Sequence, residues 1–310
     1  MKFYKLSKYL FYRILNYFLI IIFTRKNYPL LRVLYSNKKD NNTLSLHFDF
    51  TDSSTHFGDR LFFFPLIINL KKSGFSISIS NDDVYSKLLL EKLYDFSIPI
   101  SEANKSDFVI YPSPSFFNFI HLYSNAILVD FTDTSSFAKV SNQLLRSFGD
   151  FFSCEFNYDC KVIPNFSYYP YLDKNQKYFL FSNYINSGLF RKFFIDEKKL
   201  INQLLLLKKD GFKIVHVGSR EDALGIQTNY PYVDLDFRGM TSIIDMVDLV
   251  CSPNVYGAVS YDNFLMHLIG LFDKKAYILF RGRFFKKNIT HHMNYINNTF
   301  FKPKNNIHYL

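Results

Sequence analysis

Apolar residues along this chain fall in short runs broken by polar turns, and the period of the runs switches between two and about four. Runs at Leu44–Phe50, Phe75–Ser80, Asp107–Tyr111 and Ala126–Phe131 read as strands. Stretches with helical spacing lie between them: one from Asp59 to Gly74, then Tyr85–Phe96 and Ser135–Phe148. The first carries Pro65 in its interior, which predicts a kink, and Gly74 as its stop. A crossing at Cys160–Lys174, with Pro164 and Pro170, separates this set from a second. The second set is the strand Lys177–Ser182, the helix Asp196–Lys209, the strand Phe212–Val217, the helix Thr241–Val250 and the strand Val255–Ser260. A helix with Leu265, Leu268, Ile269 and Phe272 on one face follows, and the strand Lys275–Phe280 closes the set. Strands alternating with helices at this spacing predict parallel sheets, so two α/β domains facing a cleft are expected.

The first forty residues have a different pattern. A helix there would gather Phe3, Leu6, Leu10 and Ile14 on one side and Lys2, Lys5, Arg13 and Asn16 on the other. From Tyr17 to Phe23 the chain is apolar all round, and Thr24-Arg25-Lys26 stops it. That run is short of the roughly 20 residues a spanning helix needs, and no small-residue cleavage site follows it. An amphipathic helix lying in the inner leaflet of a membrane is the preferred expectation. A helix packed on the protein's own surface and a transmembrane anchor are the alternatives.

Charge sharpens this expectation. The net charge is +10, and residues 1–39 carry nine Lys and Arg with no acid. A basic end beside apolar sequence points to an anionic membrane face, and no nucleic-acid module is visible. Three cysteines, Cys154, Cys160 and Cys251, form no C-x-x-C and offer neither a disulfide framework nor a zinc site.

Chemistry is expected in the loops after strands, where open α/β sheets bind ligands. In the first half this is His56-Phe57-Gly58-Asp59. Glycine permits close approach of the backbone, and an aspartate beside it can act as general base or simply cap its helix. In the second half, Asp262 or Asn263 can cap a helix whose free N–H groups would face an anion. His267 lies one turn in, as a ligand-facing or a core histidine. Gly218 ends a strand, and Arg191 and Lys192 could neutralise a diphosphate or be plain solvated residues. Asp234-Leu235-Asp236 is a D-x-D triplet that could hold a metal-bound nucleotide, although alternation on a strand explains it more simply.

The order of these signals resembles the heptosyltransferase-like glycosyltransferases of glycosyltransferase family 9, which have the two-domain GT-B fold. Phe57-Gly58-Asp59 through Pro65 to Leu70-Lys71-Lys72 matches the family's opening loop and helix. Val217-Gly218-Ser219 and Arg238-Gly239-Met240-Thr241-Ser242-Ile243 match its second domain, as do Asp262-Asn263-Phe264-Leu265-Met266-His267 and Ala276–Phe280 with Arg281-Gly282. The resemblance spans about residues 43–285. It implies two Rossmann-like domains, an acceptor domain at 41–165 and a nucleotide-sugar domain at 166–310, preceded by the membrane-associating segment 1–40.

By that resemblance Asp59 is the general base, with His56 and Gly58 in the acceptor-side loop. Asp262, Asn263, His267 and Gly218 would hold the donor sugar and diphosphate. Lys192 or Arg191 would stabilise the leaving group, and Met240 and Thr241 would flank the base. No metal or cofactor is implied beyond the nucleotide-sugar co-substrate. Phe264 stands where the family has glycine, which limits backbone approach to the donor. The resulting expectation is an inverting transferase at the cytoplasmic face of the bacterial inner membrane. It would act on a lipid-linked glycan in lipopolysaccharide, O-antigen or capsule assembly. A degenerate homologue that binds glycan or scaffolds partner enzymes is the alternative, and a metal-dependent transferase using Asp234 and Asp236 a third.

Overall fold

The computed structural model describes residues 24–28, 31–34, 44–50, 57–80, 83–102, 106–112, 126–129, 140–163, 166–183, 197–218, 232–261, 263–279 and 307–310. The chain divides into two compact units. Unit 1 is Met1–Lys87, Phe96–Ser135 and Val140–Cys160; unit 2 is Leu88–Asp95, Ser136–Lys139 and Lys161–Leu310.

Unit 1 is built on a seven-stranded sheet. Its strands are β1 (Thr24–Tyr28), β2 (Leu31–Leu34), β3 (Ser45–Phe48), β4 (Ser76–Ser80), β5 (Ile100–Ser101), β6 (Phe108–Tyr111) and β7 (Ala126–Val129), in the order β1-β2-β7-β6-β3-β4-β5. From β7 to β5 all neighbours are parallel. The order reverses between β3 and β6, because the chain winds first to one side of β3 and then to the other. The helices are α1 (Phe57–Leu61), α2 (Phe64–Lys72), α3 (Val84–Tyr94) and α4 (Val140–Phe152). Strands β3, β6 and β7 are buried almost throughout, as expected where helices cover both faces of a parallel sheet.

One expectation is corrected here. The helix drawn from Asp59 to Gly74 is two helices. α1 stops at Leu61, a turn closes with the Phe63 N–H donating to the Arg60 carbonyl at 3.0 Å, and α2 starts with Pro65 in its first positions. Proline lacks the N–H that an interior position would need, but a first turn leaves that group without an intrahelical partner anyway. Within the basic N-terminal segment, residues 24–28 and 31–34 are strands of this sheet. β1 and β2 pair antiparallel, and β2 joins β7 antiparallel with Leu31 fully buried. Arg25 and Lys26 thus lie on an edge strand, where charge discourages pairing with other chains. The helix expected over residues 3–23 lies outside the described residues. Among those described, no helix is long and apolar enough to cross a membrane.

Unit 2 carries a six-stranded, wholly parallel sheet. It comprises β8 (Tyr178–Ser182), β9 (Lys213–His216), β10 (Leu235–Asp236), β11 (Val255–Tyr261), β12 (Lys275–Leu279) and β13 (Ile307–Tyr309). Their order is β10-β9-β8-β11-β12-β13, which is 3-2-1-4-5-6 when counted from β8. This is the doubly wound dinucleotide-binding order, with its switch point between β8 and β11. Helices α5 (Glu197–Lys209), α6 (Ile243–Cys251) and α7 (Phe264–Leu271) accompany it. Leu200, Leu204 and Leu207 of α5 pack on Phe179, Phe181, Ile214, Val259 and Tyr261 of the sheet. Residues 307–309 form β13 and pair in parallel with β12 at the edge of the sheet.

Candidate functional site

The carboxyl edge of the unit 2 sheet holds a set of polar groups at the switch point. Ser182 ends β8 and Asn263 follows β11. Asn263 Nδ2 donates to Ser182 Oγ at 3.1 Å, joining the two strands that flank the point of reversal. Asn263 also caps α7, its Oδ1 accepting from Met266 N–H at 3.4 Å. Of the two capping candidates, Asn263 therefore performs the task, and Asp262 lies outside the described residues. His267 sits one turn into α7 and is 5% exposed.

Beside them, His216 closes β9. Its Nε2 lies 3.0 Å from Asn183 Oδ1, and because that oxygen only accepts, the nitrogen carries the proton. The imidazole packs on the Phe181 ring, with centroids 4.6 Å apart. Burial first, and Arg238 second, bring its pKa down to about 4 against a smaller opposing pull from Asp236. His216 is thus neutral at pH 7 and acts as a fixed donor and ring surface.

The segment matching Gly-x-Thr-Ser folds onto this edge. Gly239 N–H donates to the Gly218 carbonyl at 2.9 Å, so Gly218 and the Met240–Thr241 turn, far apart in sequence, lie side by side. Gly239 has φ +71°, a left-handed value that favours glycine at this bend. Met240 projects, 73% exposed, while Thr241 Oγ1 is buried without a hydrogen-bond partner among the described residues. A buried hydroxyl left unsatisfied beside a projecting apolar side chain suits a ligand that offers both a polar edge and a flat face. Ser242 then caps α6 in a reciprocal box with Asp245: Ser242 Oγ accepts from Asp245 N–H at 3.1 Å, and Asp245 Oδ2 from Ser242 N–H at 2.8 Å.

The two carboxylates of the D-x-D triplet point to different partners. Burial raises the pKa of Asp234, but the Ile214 N–H and Lys208, with Lys213 beyond, outweigh it and hold the carboxyl below its usual range. Asp236 is held low chiefly by its hydrogen bond from Arg238, whose Nη2 reaches Oδ2 at 2.6 Å and Nε reaches Oδ1 at 2.9 Å. Each carboxylate is neutralised by its own cation, Asp234 by Lys208 and Asp236 by Arg238.

In unit 1 the corresponding edge carries Asp49, Phe50 and Ser80. Ser80 Oγ lies 3.2 Å from Asp49 Oδ1 and 3.3 Å from His47 Nε2, while His47 Nδ1 faces Ser78 Oγ at 3.0 Å. Burial depresses the His47 pKa against the pull of Asp49. α1 follows on this edge. It contains Gly58, which is buried, and Asp59 as its third residue. The loop residue His56 lies outside the described residues, as do Arg191 and Lys192.

Reasoning from the sequence missed Ser182, Asn183 and His216. Their signal was available, since each stands at or just beyond the carboxyl end of an expected strand.

Comparison with solved structures finds the glycosyltransferase family 9 protein of Veillonella parvula DSM 2008. It matches with a TM-score of 0.55 at 10% identity, over 88% of this chain and 88% of that one. Looser matches include the E. coli ADP-heptose lps heptosyltransferase II, at TM-score 0.49 and 11% identity over 86% of this chain and 90% of that one. Another is the E. coli heptosyltransferase WaaC with ADP-2-deoxy-2-fluoro heptose, at 0.48 and 13% over 79% and 91%. No family model and no curated protein matches the chain. The likeness to the V. parvula protein is one of fold, and it bears out the two-domain α/β architecture that the resemblance implied.

Proposed function

We propose that this protein is a glycosyltransferase that moves a sugar from a nucleotide donor to a hydroxyl of a glycan acceptor. The observation that carries the reading is the polar edge of unit 2: Ser182–Asn263 spans the switch point of a 3-2-1-4-5-6 sheet, and Asn183–His216 and Gly218–Gly239 lie along the same carboxyl edge. Parallel sheets of this order bind nucleotides at that point.

In this mechanism unit 2 holds the donor. Met240 and Thr241 meet the base, and Gly218 and the capped start of α7 meet the ribose and diphosphate. Asp59 removes the proton from the acceptor hydroxyl as its oxygen attacks the anomeric carbon. The bond to the diphosphate breaks on the opposite face, the configuration inverts, and the nucleoside diphosphate leaves with the bonding pair. Arg191 or Lys192 and the helix N–H groups offset the charge that develops. The step needs a base, alignment and charge neutralisation, so we assign it no metal; Asp234 and Asp236 already serve Lys208 and Arg238. The basic N-terminal segment favours a lipid-linked acceptor at the cytoplasmic face of a bacterial membrane, in lipopolysaccharide, O-antigen or capsule assembly.

A second reading, a scaffold that binds glycan without transferring sugar, draws on Phe264 at the start of α7, where the family has glycine. One experiment separates the two. Purified protein is screened by thermal shift against ADP-, UDP- and GDP-sugars, and hits are assayed for transfer with and without EDTA. The transferase reading expects at least one stabilising donor, EDTA-resistant turnover, and a loss of about 100-fold or more in Asp59→Ala with donor binding intact. Full activity in Asp59→Ala would remove the base assignment. A protein that binds no nucleotide sugar would favour the scaffold.

A further inference from the structure

We infer that Arg60 and Asp83 form a clamp that positions the general base, a role that rests on the transferase reading of Asp59. Arg60 is the next residue along α1, and its guanidinium joins three segments at the carboxyl edge of unit 1. Nη1 donates to Asp83 Oδ1 at 2.5 Å and lies 3.5 Å from Ser86 Oγ, which ties α1 to the start of α3. Nη2 donates to the Phe50 carbonyl at 3.0 Å, just past the end of β3, and the guanidinium carbon stands 5.8 Å from the centre of the Phe50 ring. Asp83 is itself fixed, accepting from Ser86 N–H at 3.2 Å with its side chain only 2% exposed.

The clamp answers a problem of length. α1 has five residues, and a helix that short does not hold its own shape in water. Leu61 and the following Phe62 and Phe63 are fully buried and anchor its end, while the rotation of the first turn is left to polar contacts. The fork of Arg60, bonded in two directions, removes that freedom and fixes the backbone that carries residue 59. A planar guanidinium can do this where an ammonium cannot, because lysine offers one charge centre and no fork. The sequence shows none of this, since the partner lies 23 residues away.

Arg60→Lys and Asp83→Asn in the full chain test the assignment. Positioning predicts that kcat falls by roughly 30- to 100-fold, because a displacement of about 1 Å at a reacting group has that effect, while donor KM stays within about twofold. Arg60→Lys keeps the charge, so it serves as the folded reference should Asp83→Asn prove unstable. Hydrogen exchange gives a second readout that needs no activity: amides of residues 57–61 should exchange at least about tenfold faster in either variant. Unchanged exchange together with kcat within threefold of wild type would overturn the clamp. If the wild-type protein transfers no sugar, the base assignment fails by itself, and the exchange measurement still decides whether Arg60 holds α1.

Discussion

Gly257 in β11 shows how much a single residue can decide. A Cβ built there would stand 2.0 Å from the Lys275 carbonyl oxygen and 2.7 Å from a Phe179 ring carbon. The first obstacle is backbone of the paired strand, which cannot swing aside. Gly257→Ala should therefore destabilise the protein by roughly 3 kcal/mol, read as a lower Tm by circular dichroism. His216 gives the second prediction at this scale. Its folded pKa is about 4 against an ordinary 6.5, so between those values the unfolded chain binds more protons than the folded one. Stability is complete above about pH 6.5 and falls as the pH drops toward 4, by up to roughly 3 kcal/mol from this group. Urea titrations at pH 7 and pH 4.5 should show the loss, and His216→Gln should flatten it. The surroundings of neither residue could be read from the sequence, because they depend on what the neighbouring strands bring against them.

At the scale of elements, periodicity served well and ends served less well. Strands β3, β4, β6, β8, β9, β11 and β12 and helices α3, α5, α6 and α7 fall where apolar runs and helical spacing put them. The helix expected at Ser135–Phe148 continues to Phe152; its described part starts at Val140, with Leu144, Leu145 and Phe148 buried, and residues 135–139 lie outside the described residues. Capping explains two other boundaries. α6 begins after Ser242 and not at Thr241, and α7 is capped by Asn263, since these side chains reach the free N–H groups. Ser242→Ala should lower stability by about 1 kcal/mol without altering donor affinity, as denaturant melts and donor titration would show. Asn263→Ala removes a cap and the contact to Ser182 together, so it should weaken donor binding as well as stability.

For the whole molecule, the parallel parts of the two sheets wind alike. Each reverses its order once, at β3/β6 in unit 1 and at β8/β11 in unit 2, and polar residues gather at the carboxyl ends of β3 and β4 in the first and of β8 and β11 in the second. A bound nucleoside diphosphate should therefore slow amide exchange most at 182–183, 216–218 and 263–266, with little change at the amino ends of the strands. At a concentration of 100 times Kd it should stabilise the native state by about 2.7 kcal/mol. Protection confined to the amino ends would contradict the assignment of the donor site.

The sequence by itself determined the class of this protein. Alternating short strands and amphipathic helices leave few arrangements other than parallel sheets covered by helices, and the glycine, capping and aspartate positions marked the loops at the carboxyl ends. What only the tertiary structure decided was partnership. That Arg60 finds Asp83, that Gly239 docks on Gly218, that His216 is neutral against Asn183, and that Thr24–Leu34 joins a sheet all depend on residues far apart along the chain. Hydrophobic period is a local property, set by how each segment hides one face. Hydrogen-bond partners and desolvation are set by whichever distant segment the completed fold brings alongside.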